Sequence, residues 1–513
     1  MNQEVLEVLR QALGYGTGIL GLPSTVASPK PVFPFPEGWL KDEATETELD
    51  QFSFWKSQIA EWHTLEAKRV GRKVSLLSKC RELVRFKDEV AMYFPTFIDW
   101  RGRMYFRSTI HPQLNDAVKG CLEFAEGKRL GTTGLYWLKV HVANCCGYDK
   151  HDPDIKVKWC EDNWAMIKHF IDNPFDIDAP EPDTAFTLLQ AAFALRDAYE
   201  LDNPEDYICH VPVAMDATCS GLQHLSALTR DEVGGKFTNL VDSGTDQKAD
   251  IYLQVGKTAQ EAKAVFIDDV VVGKFWDTTE ITRSMSKKPV MTYVYGSTLL
   301  STMDSIALDM ASMGLEPIKD KAGKIVYTLN KLAIPVAKAL RKGVEDTVPR
   351  CAEIMKYLQT VCRRSKTQHM QWVTPVGTPV VNWSENQVSK RLFIRSMGVI
   401  SIVMKYGDGT YNVRAATQGV VPNFVHSMDS CHLCMTLNDF SGQVIPIHDS
   451  FGTHPSDVPE LHKSLRKTFV ELYSQYKIED LLEVNNIDLE EYPVPSQGSL
   501  DIQDVNDSRF MFC

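Results

Sequence analysis

Apolar residues in two separate stretches of this chain predict buried strands that end in the same way. The first stretch, Val211 to Met215, leads into Asp216, and the second, Val444 to Ile447, leads into Asp449 after one intervening residue. The residues after the second carboxylate, Ser450 to Gly452, predict a tight turn that would place Asp449 at a hairpin tip. An aspartate before a turn is most often only a turn residue, so neither stretch indicates a ligand by itself.

A helical period marks the region between these strands. Side chains that recur every four residues form one slowly drifting stripe on a helix, and here they are Arg283, Lys287, Met291 and Tyr295. Pro289 lies inside the stripe and would cost about 3 kcal/mol in a regular helix interior, so we expect either a kink or a regular helix that starts near Pro289. Two cations followed by a thioether and a phenol suit a triphosphate and then a base and sugar. A solvated basic turn leading into a core helix is the simpler explanation of the stripe alone.

The amino-terminal region predicts one short helix and then an extended linker. The helix would run from Asn2 to Leu13, and the prolines between Pro23 and Pro36 exclude helix in the linker. Docking of this helix on its own chain and docking on a partner both remain open. The pattern is helical again from Glu43 to about Phe94. Farther along, Asp408-Gly409 between two apolar runs predicts a β-hairpin.

Length and composition are those of an ordinary globular protein. The 513 residues are 44% hydrophobic and 24% charged, and this length suggests about two to four domains or subdomains. No apolar run approaches the length of a membrane helix, and the first residues lack the basic region of a secretory signal. The 12 cysteines form no disulfide framework, and the single Cys431-Cys434 pair is a poor zinc site. We therefore expect reduced thiols in a cytosol-like compartment and no membrane association.

The charge distribution matters more than its sum. A net charge of −12 argues mildly against nucleic-acid binding, but a binding groove needs positive charge only locally. Such a concentration lies in the helical region after Glu43, in Lys68, Arg69, Arg72, Lys73, Lys79, Arg81, Arg85 and Lys87. For any single member of this basic cluster, a solvated helix face is the more common role.

The two strand-end aspartates suit a two-metal phosphoryl-transfer site. Two magnesium ions about 4 Å apart clamp the attacking and leaving oxygens of an in-line displacement. Magnesium usually takes only one or two protein carboxylates, together with waters and substrate phosphates, so Asp216, Asp449 and one backbone carbonyl would suffice. The two residues are far apart in the chain, so their pairing is a hypothesis that depends on the fold.

Five motifs resemble those of the single-subunit RNA polymerases of T-odd bacteriophages and mitochondria. Three are similar to that family's polymerase motifs, one to its template-contacting motif and one to a further signature. In this order they are Asp216 to His224, Arg283 to Gly296, His448 to Gly452, Asp99 to Arg103 with Tyr105, and Pro422 to Ser427. Their order and rough spacing hold from about residue 45 to Cys513. Chance agreement at five separated motifs is remote.

The resemblance implies a helix-rich α+β chain with the right-hand polymerase fold of palm, fingers and thumb. Residues 1–40 would be the amino-terminal helix and proline-rich linker described above, and the resemblance implies a thumb over 41–94. A palm with a helical insertion would follow over 95–235. Fingers would occupy 236–425, including a specificity-like hairpin at about 390–415, and palm and carboxy-terminal segment 426–513.

The resemblance also assigns site residues. Two Mg²⁺ ions would be held by Asp216, Asp449 and the carbonyl of Ala217, and the catalytic set would be Asp216, Asp449, Lys287 and Arg283. Nucleotide-binding residues would be Arg283, Lys287, Tyr295, His426, Tyr252 and Met291. Tyr295 and His426 resemble the family pair that favours a 2′-hydroxyl, and the small residues after Asp216 leave space for one. Nucleic-acid-binding residues would be Arg103, Tyr105, Lys119, Gly296, Arg391 and Arg395. For the last two, ordinary surface arginines on an edge hairpin remain about as compatible with the sequence.

The implied function is DNA-dependent RNA synthesis from ATP, GTP, CTP and UTP, in the cytoplasm of a phage-infected bacterial host. The partners would be a DNA template and nascent RNA. Family members usually carry an amino-terminal promoter-opening domain, and this chain begins almost at the thumb. We therefore expect the catalytic half of a split enzyme or a reduced form, aided by a separate promoter-recognition subunit or a single-stranded-DNA-binding factor. A DNA polymerase of related fold and an inactive nucleic-acid-binding subunit are the alternatives.

Overall fold

Buried apolar side chains gather into two cores that divide the chain at Pro212. One core is built from residues between Val5 and Val211, and the other from residues between Val213 and Phe512. The computed structural model describes residues 1–176, 182, 184–242, 244–320, 325–365, 369–394 and 400–513. All twelve cysteines are free thiols. No helix among the described residues is long and apolar enough to cross a membrane.

The elements up to Pro212 are mainly helical. In chain order they are α1 (Gln3–Tyr15), α2 (Glu46–Arg85), β1 (Thr96–Ile98), β2 (Met104–Phe106), α3 (Asp116–Lys119), β3 (Lys128–Arg129), α4 (Gly131–Cys145), α5 (Pro153–Asp162), α6 (Trp164–Asp172), α7 (Ala185–Tyr199) and β4 (Ile208–Cys209). The strands pair antiparallel, β1 with β2 and β3 with β4.

The elements after Pro212 begin with a strand of the central sheet. They are β5 (Val213–Asp216), α8 (Ser220–Thr229), α9 (Glu232–Phe237), α10 (Ile251–Ala262), α11 (Val270–Asp277), α12 (Arg283–Tyr293), α13 (Leu299–Ser312), β6 (Ile318–Lys319), β7 (Ile325–Tyr327), α14 (Leu329–Thr347), α15 (Pro349–Arg364), β8 (Met370–Val373), β9 (Pro379–Asn382), β10 (Glu385–Ile394), β11 (Ile400–Tyr411), α16 (Val413–Asp439), β12 (Val444–Ile447), β13 (Ser450–Thr453), α17 (Val458–Gln475) and α18 (Ile478–Val484). The predicted helix-rich α+β class is confirmed.

The central sheet has the order β12-β13-β5 and is antiparallel. Ile447 pairs with Ser450, so the hairpin turn consists of His448 and Asp449, and His448 takes the left-handed backbone conformation that such a turn requires (φ +58°). The predicted hairpin tip at Asp449 is therefore present. The predicted turn at Ser450 to Gly452 is wrong, because these residues belong to β13 and pair with β5.

The helix that carries the basic stripe continues past its proline. Helix α12 starts at Arg283, where the side chain of Thr282 accepts a hydrogen bond from the backbone of Met285, and Pro289 lies inside it. The alternative of a regular helix that starts near Pro289 is wrong. Tyr295 lies beyond the last helical residue, in a turn that ends at Gly296, so only the first three members of the stripe share the helix.

The amino-terminal helix docks on its own chain. Val5, Leu6, Leu9 and Ala12 of α1 are buried in the first core. The proline-rich linker then lies along α2, where the indole N–H groups of Trp55 and Trp62 donate to the carbonyls of Pro31 and Ser28. Helix α2 spans 40 residues, about 60 Å at 1.5 Å per residue, and its buried residues all lie near its carboxy-terminal end, at Leu76, Cys80 and Leu83.

The predicted hairpin at about 390–415 is present, but Asp408-Gly409 is not its turn. Strands β10 and β11 pair from Glu385 with Tyr411 to Ile394 with Ile400. Asp408-Gly409 lies inside β11, where the pairing register shifts opposite Glu385 and Gln387. The positive φ of Gly409 (+79°) serves this irregularity and not the turn.

Candidate active site

The fold places the two strand-end aspartates side by side. Asp216 ends β5, and its strand partner is Ser450, the residue after Asp449. The backbone N–H of Ala217 donates to the carbonyl of Asp449 over 3.0 Å. Two short stretches that are distant in the chain thus meet at one edge of the central sheet.

The Asp449 carboxyl lies in an environment that disfavours its charge. Burial raises its pKa to about 7, with further increases from the negative charges of Asp429 and Asp216, while Arg103 acts in the opposite direction. A buried carboxyl whose pKa is raised by neighbouring carboxylates is suited to a divalent cation, which would compensate the negative charge. Among the described residues no cluster of three or more His, Cys, Asp or Glu side chains forms a metal cage. The two aspartates fit magnesium, because it needs only one or two protein carboxylates.

A third aspartate, Asp429, is buried close enough to Asp449 to affect its pKa, and the sequence did not reveal it. It is 3% exposed, accepts from Arg103 Nη2 at 2.6 Å and from the Ser220 hydroxyl at 3.2 Å, and lies 3.9 Å from His224 Nε2. The available signal was its place one turn after His426 on α16, just beyond the motif that ends at Ser427. A buried carboxylate needs a partner of opposite charge, and Arg103 provides it.

Tyr295 and His426, the pair predicted to select the sugar, contact each other. The rings of Tyr295 and His426 lie 4.9 Å apart between centroids. Arg101 Nη1 lies 3.0 Å from His426 Nδ1; because a guanidinium can only donate, Nδ1 accepts and Nε2 carries the proton. Burial, with the charges of Arg103 and Arg101, lowers the pKa of His426 to about 3. Burial, with Asp429, raises the pKa of Tyr295, so both groups are neutral hydrogen-bond donors at neutral pH.

The stripe on α12 presents its cations to solvent. Lys287 and Met291 are exposed, and Arg283 is partly exposed. Arg283 Nε donates to Asp250 at 2.5 Å, and its guanidinium lies over the ring of Tyr252, 5.6 Å from the centroid. The Tyr252 hydroxyl donates to the carbonyl of Thr218 over 3.4 Å, which connects this helix to the segment after Asp216.

The residues predicted to contact nucleic acid differ in their placement. Arg103 is bound to Asp429 as described above. Tyr105 packs edge-on against His448, with centroids 4.9 Å apart, and Lys119 lines a cavity of about 50 Å³ beside Ala214 and Ser450 of the central sheet.

The remaining three predicted contacts lie farther along the chain. Gly296 has a positive φ (+74°) and approaches α16 so closely that a Cβ would lie 3.0 Å from the carbonyl oxygen of Gln418. Arg391 is exposed on β10. Arg395 lies outside the described residues.

Comparison with known proteins gives one consistent result. The family model described as DNA-dependent RNA polymerase matches residues 128–492. The DNA-directed RNA polymerase of Pseudomonas phage phiKMV is 34% identical over all of this chain and 63% of its own length. T7 RNA polymerase of Escherichia phage T7 is 30% identical over 92% of this chain and 59% of its own. The chloroplastic DNA-directed RNA polymerase 3 of Nicotiana sylvestris is 30% identical over all of this chain and 52% of its own. The chain thus spans about three-fifths of the length of the phage relatives.

Proposed function

This chain belongs to the DNA-dependent RNA polymerase family, and from that membership we propose that it synthesises RNA on a DNA template by adding ribonucleotides to an RNA 3′ end. The observation that carries the proposal is the pairing of β5 with β13, which brings Asp216 and Asp449 together. The predicted substrates are ATP, GTP, CTP and UTP, and the predicted partners are a DNA template and the growing RNA.

We propose that Asp216, Asp449 and the carbonyl of Ala217 hold magnesium. When bound, magnesium supplies Lewis-acid activation of the RNA 3′-hydroxyl and charge neutralisation at the leaving pyrophosphate. The raised pKa of Asp449 supports this assignment, because burial and the charges of Asp429 and Asp216 outweigh the opposing charge of Arg103 and leave room for a cation.

The chain's own side chains bind and orient the nucleotide. Arg283 and Lys287 would neutralise the triphosphate, and the exposed ammonium of Lys287 would donate a proton to the leaving group. Neutral His426 offers its Nε2–H, and Tyr295 packs beneath the base and sugar. A hydroxyl both donates and accepts hydrogen bonds, so these donors favour a ribonucleotide over a deoxyribonucleotide.

The test is extension of an RNA primer annealed to a DNA template by the purified chain with magnesium and NTPs. We expect Asp216→Asn and Asp449→Asn each to abolish extension while scaffold binding persists. Asp346→Asn is the control, because this exposed aspartate pairs with Lys342 on α14 and has no other ion-pair partner among the described residues. Full extension by either active-site variant would contradict the proposal.

Two further lanes separate the alternatives. Deoxynucleotides used as readily as ribonucleotides would indicate a DNA polymerase, and scaffold binding without extension by the folded wild-type chain would indicate a binding subunit. A parallel reaction with a closed promoter duplex in place of the scaffold tests whether this chain opens a promoter by itself. Activity on the scaffold alone would favour help from a separate promoter-recognition subunit or a single-stranded-DNA-binding factor.

The similarity to phage enzymes favours the cytoplasm of an infected bacterium as the place of action. The similarity to a chloroplastic enzyme makes the chloroplast the alternative compartment.

A further inference from the structure

Asp250 connects the arginine of the proposed triphosphate site to the start of a neighbouring helix. Its Oδ1 accepts from the backbone N–H groups of Tyr252 at 3.0 Å and Leu253 at 3.1 Å, which caps α10. Its Oδ2 accepts from Arg283 Nε at 2.5 Å. One carboxylate therefore caps the amino-terminal end of α10 and also holds Arg283, which belongs to α12.

The contact through Nε leaves the outer end of Arg283 available. Among the described residues, no hydrogen bond from either Nη group of Arg283 to a protein acceptor is found, and the side chain is 35% exposed. The guanidinium carbon lies over the Tyr252 ring, 5.6 Å from its centroid. Asp250 and Tyr252 thus both restrict the guanidinium, while its two Nη groups make no hydrogen bond to an acceptor among the described residues.

Asp250 is ionised at neutral pH. Burial alone would raise its pKa, but the hydrogen bond from Arg283, the N–H of Leu253 and the charges of Arg283 and Lys150 lower it below its ordinary value. Lys150 Nζ lies 4.0 Å from the same Oδ2. The Arg283 contact is therefore a charge-assisted hydrogen bond, the stronger kind.

We propose that Asp250 is a positioning residue for the incoming nucleotide: it fixes Arg283 through Nε so that both Nη groups are presented to the triphosphate. This inference rests on the proposed function. Its physical basis is that a guanidinium binds phosphate through a planar fork of N–H groups, and a fork already held in place loses less side-chain freedom on binding.

The test is Asp250→Asn in single-nucleotide extension on the primer–template scaffold. Asparagine caps helices as well as aspartate, so α10 keeps its cap while the charge that holds Arg283 is lost. We expect the KM for the nucleotide to rise about tenfold, the size expected for one hydrogen bond to a charged group. The kcat should change by less than about twofold. The Tm should fall no more than in the control variant Asp269→Asn, because α10 keeps its cap.

Asp269→Asn is the matched control. Asp269 caps α11 in the same way, with contacts to the N–H groups of Val271 at 2.8 Å and Val272 at 3.3 Å, but its other oxygen accepts from the Tyr327 hydroxyl. The KM of Asp269→Asn for the nucleotide should equal that of the wild type. The double variant Asp250→Asn/Arg283→Met should have the KM of Arg283→Met alone, because residues that act through one contact are not additive.

Three outcomes would overturn the inference. They are an unchanged or lower KM in Asp250→Asn, an equal rise in Asp269→Asn, and additive effects in the double variant. Should Asp250→Asn reduce the Tm by more than Asp269→Asn does, Arg283→Lys replaces it as the test. Lysine lacks the planar guanidinium that contacts Asp250 through Nε and leaves two Nη groups for the phosphates, so the KM should rise similarly, and a wild-type KM would overturn the inference. Absence of extension by the wild-type chain would instead contradict the proposed function.

Discussion

At the residue scale, the proton on Asp449 and a bound metal compete for the same oxygens. In the folded chain the pKa of this carboxyl is raised to about 7, above its unfolded value of about 4. Between these values the folded state binds more protons than the unfolded state, so this group's contribution to the free energy of unfolding falls as pH rises through the window. Above about pH 7 the uncompensated carboxylate destabilises the metal-free chain, and a divalent cation removes that penalty.

We therefore expect magnesium to raise the Tm more at pH 8 than at pH 6. Asp449→Asn should remove most of this difference, because an amide does not titrate and is a weaker magnesium ligand. Thermal unfolding with and without magnesium at both pH values measures the effect, with Asp346→Asn as the control. An identical magnesium shift at both pH values in the wild type would contradict the prediction.

At the element scale, the turn after α12 is fixed by its contact with α16. Gly296 has a left-handed backbone conformation. In addition, a carbonyl oxygen of α16 lies in the space that a Cβ at this position would need. This turn also carries Tyr295 against His426 of the same helix. A larger residue at position 296 would have to separate α12 from α16, and the Tyr295–His426 contact would change with them.

Gly296→Ala tests this contact, and Gly314→Ala is its matched control. Gly314 has nearly the same φ (+76°, against +74°), but nothing lies within 4 Å of its added Cβ. Gly314→Ala should cost only the left-handed backbone penalty of about 1–2 kcal/mol, whereas Gly296→Ala should cost more and should also raise the KM for nucleotides. Denaturant unfolding and single-nucleotide kinetics measure both variants, and equal effects on stability and KM would show that the α16 contact is unimportant.

The elements also show what the sequence could predict. Apolar runs and the four-residue stripe predicted β5, β12 and α12, because burial on one face dictates these patterns. The turn residues were placed wrongly twice, since a positive φ at His448 and a bulge at Gly409 depend on strand register, which the local sequence does not determine. Asp429 was missed because its place just beyond the motif on α16 was a weak signal, and its partner Arg103 is distant in the chain.

At the scale of the whole molecule, an acidic chain carries its basic cluster on the long helix α2. Several of these cations are exposed, among them Lys68, Arg72 and Arg81, whereas Arg69 is engaged by Glu66 and by the linker carbonyl of Ser24. Exposed cations that neutralise phosphates release counterions on binding. Their contribution should therefore be sensitive to salt and independent of sequence.

Lys68→Gln/Arg72→Gln should weaken scaffold binding and reduce the slope of log K against log salt by roughly 1.4–1.8, at about 0.7–0.9 per phosphate contact. Lys236→Gln is the control, because this exposed lysine on α9 pairs with Glu232 and, within the part of the chain that the structure describes, with no other acidic residue. Titrations of the labelled scaffold at several salt concentrations measure the slope. An unchanged slope in the double variant would place the nucleic acid elsewhere.

The pairing of β5 with β13 has a consequence for the order of events during folding. Asp216 and Ser450 become neighbours only when the long loop between them closes, and such distant contacts form slowly. During synthesis, a chain that has not yet reached Thr453 lacks a complete β13, so the pairing that holds its two aspartates together cannot be completed. The capacity to hold a metal should thus arise late, and metal capture would report the formation of the central sheet.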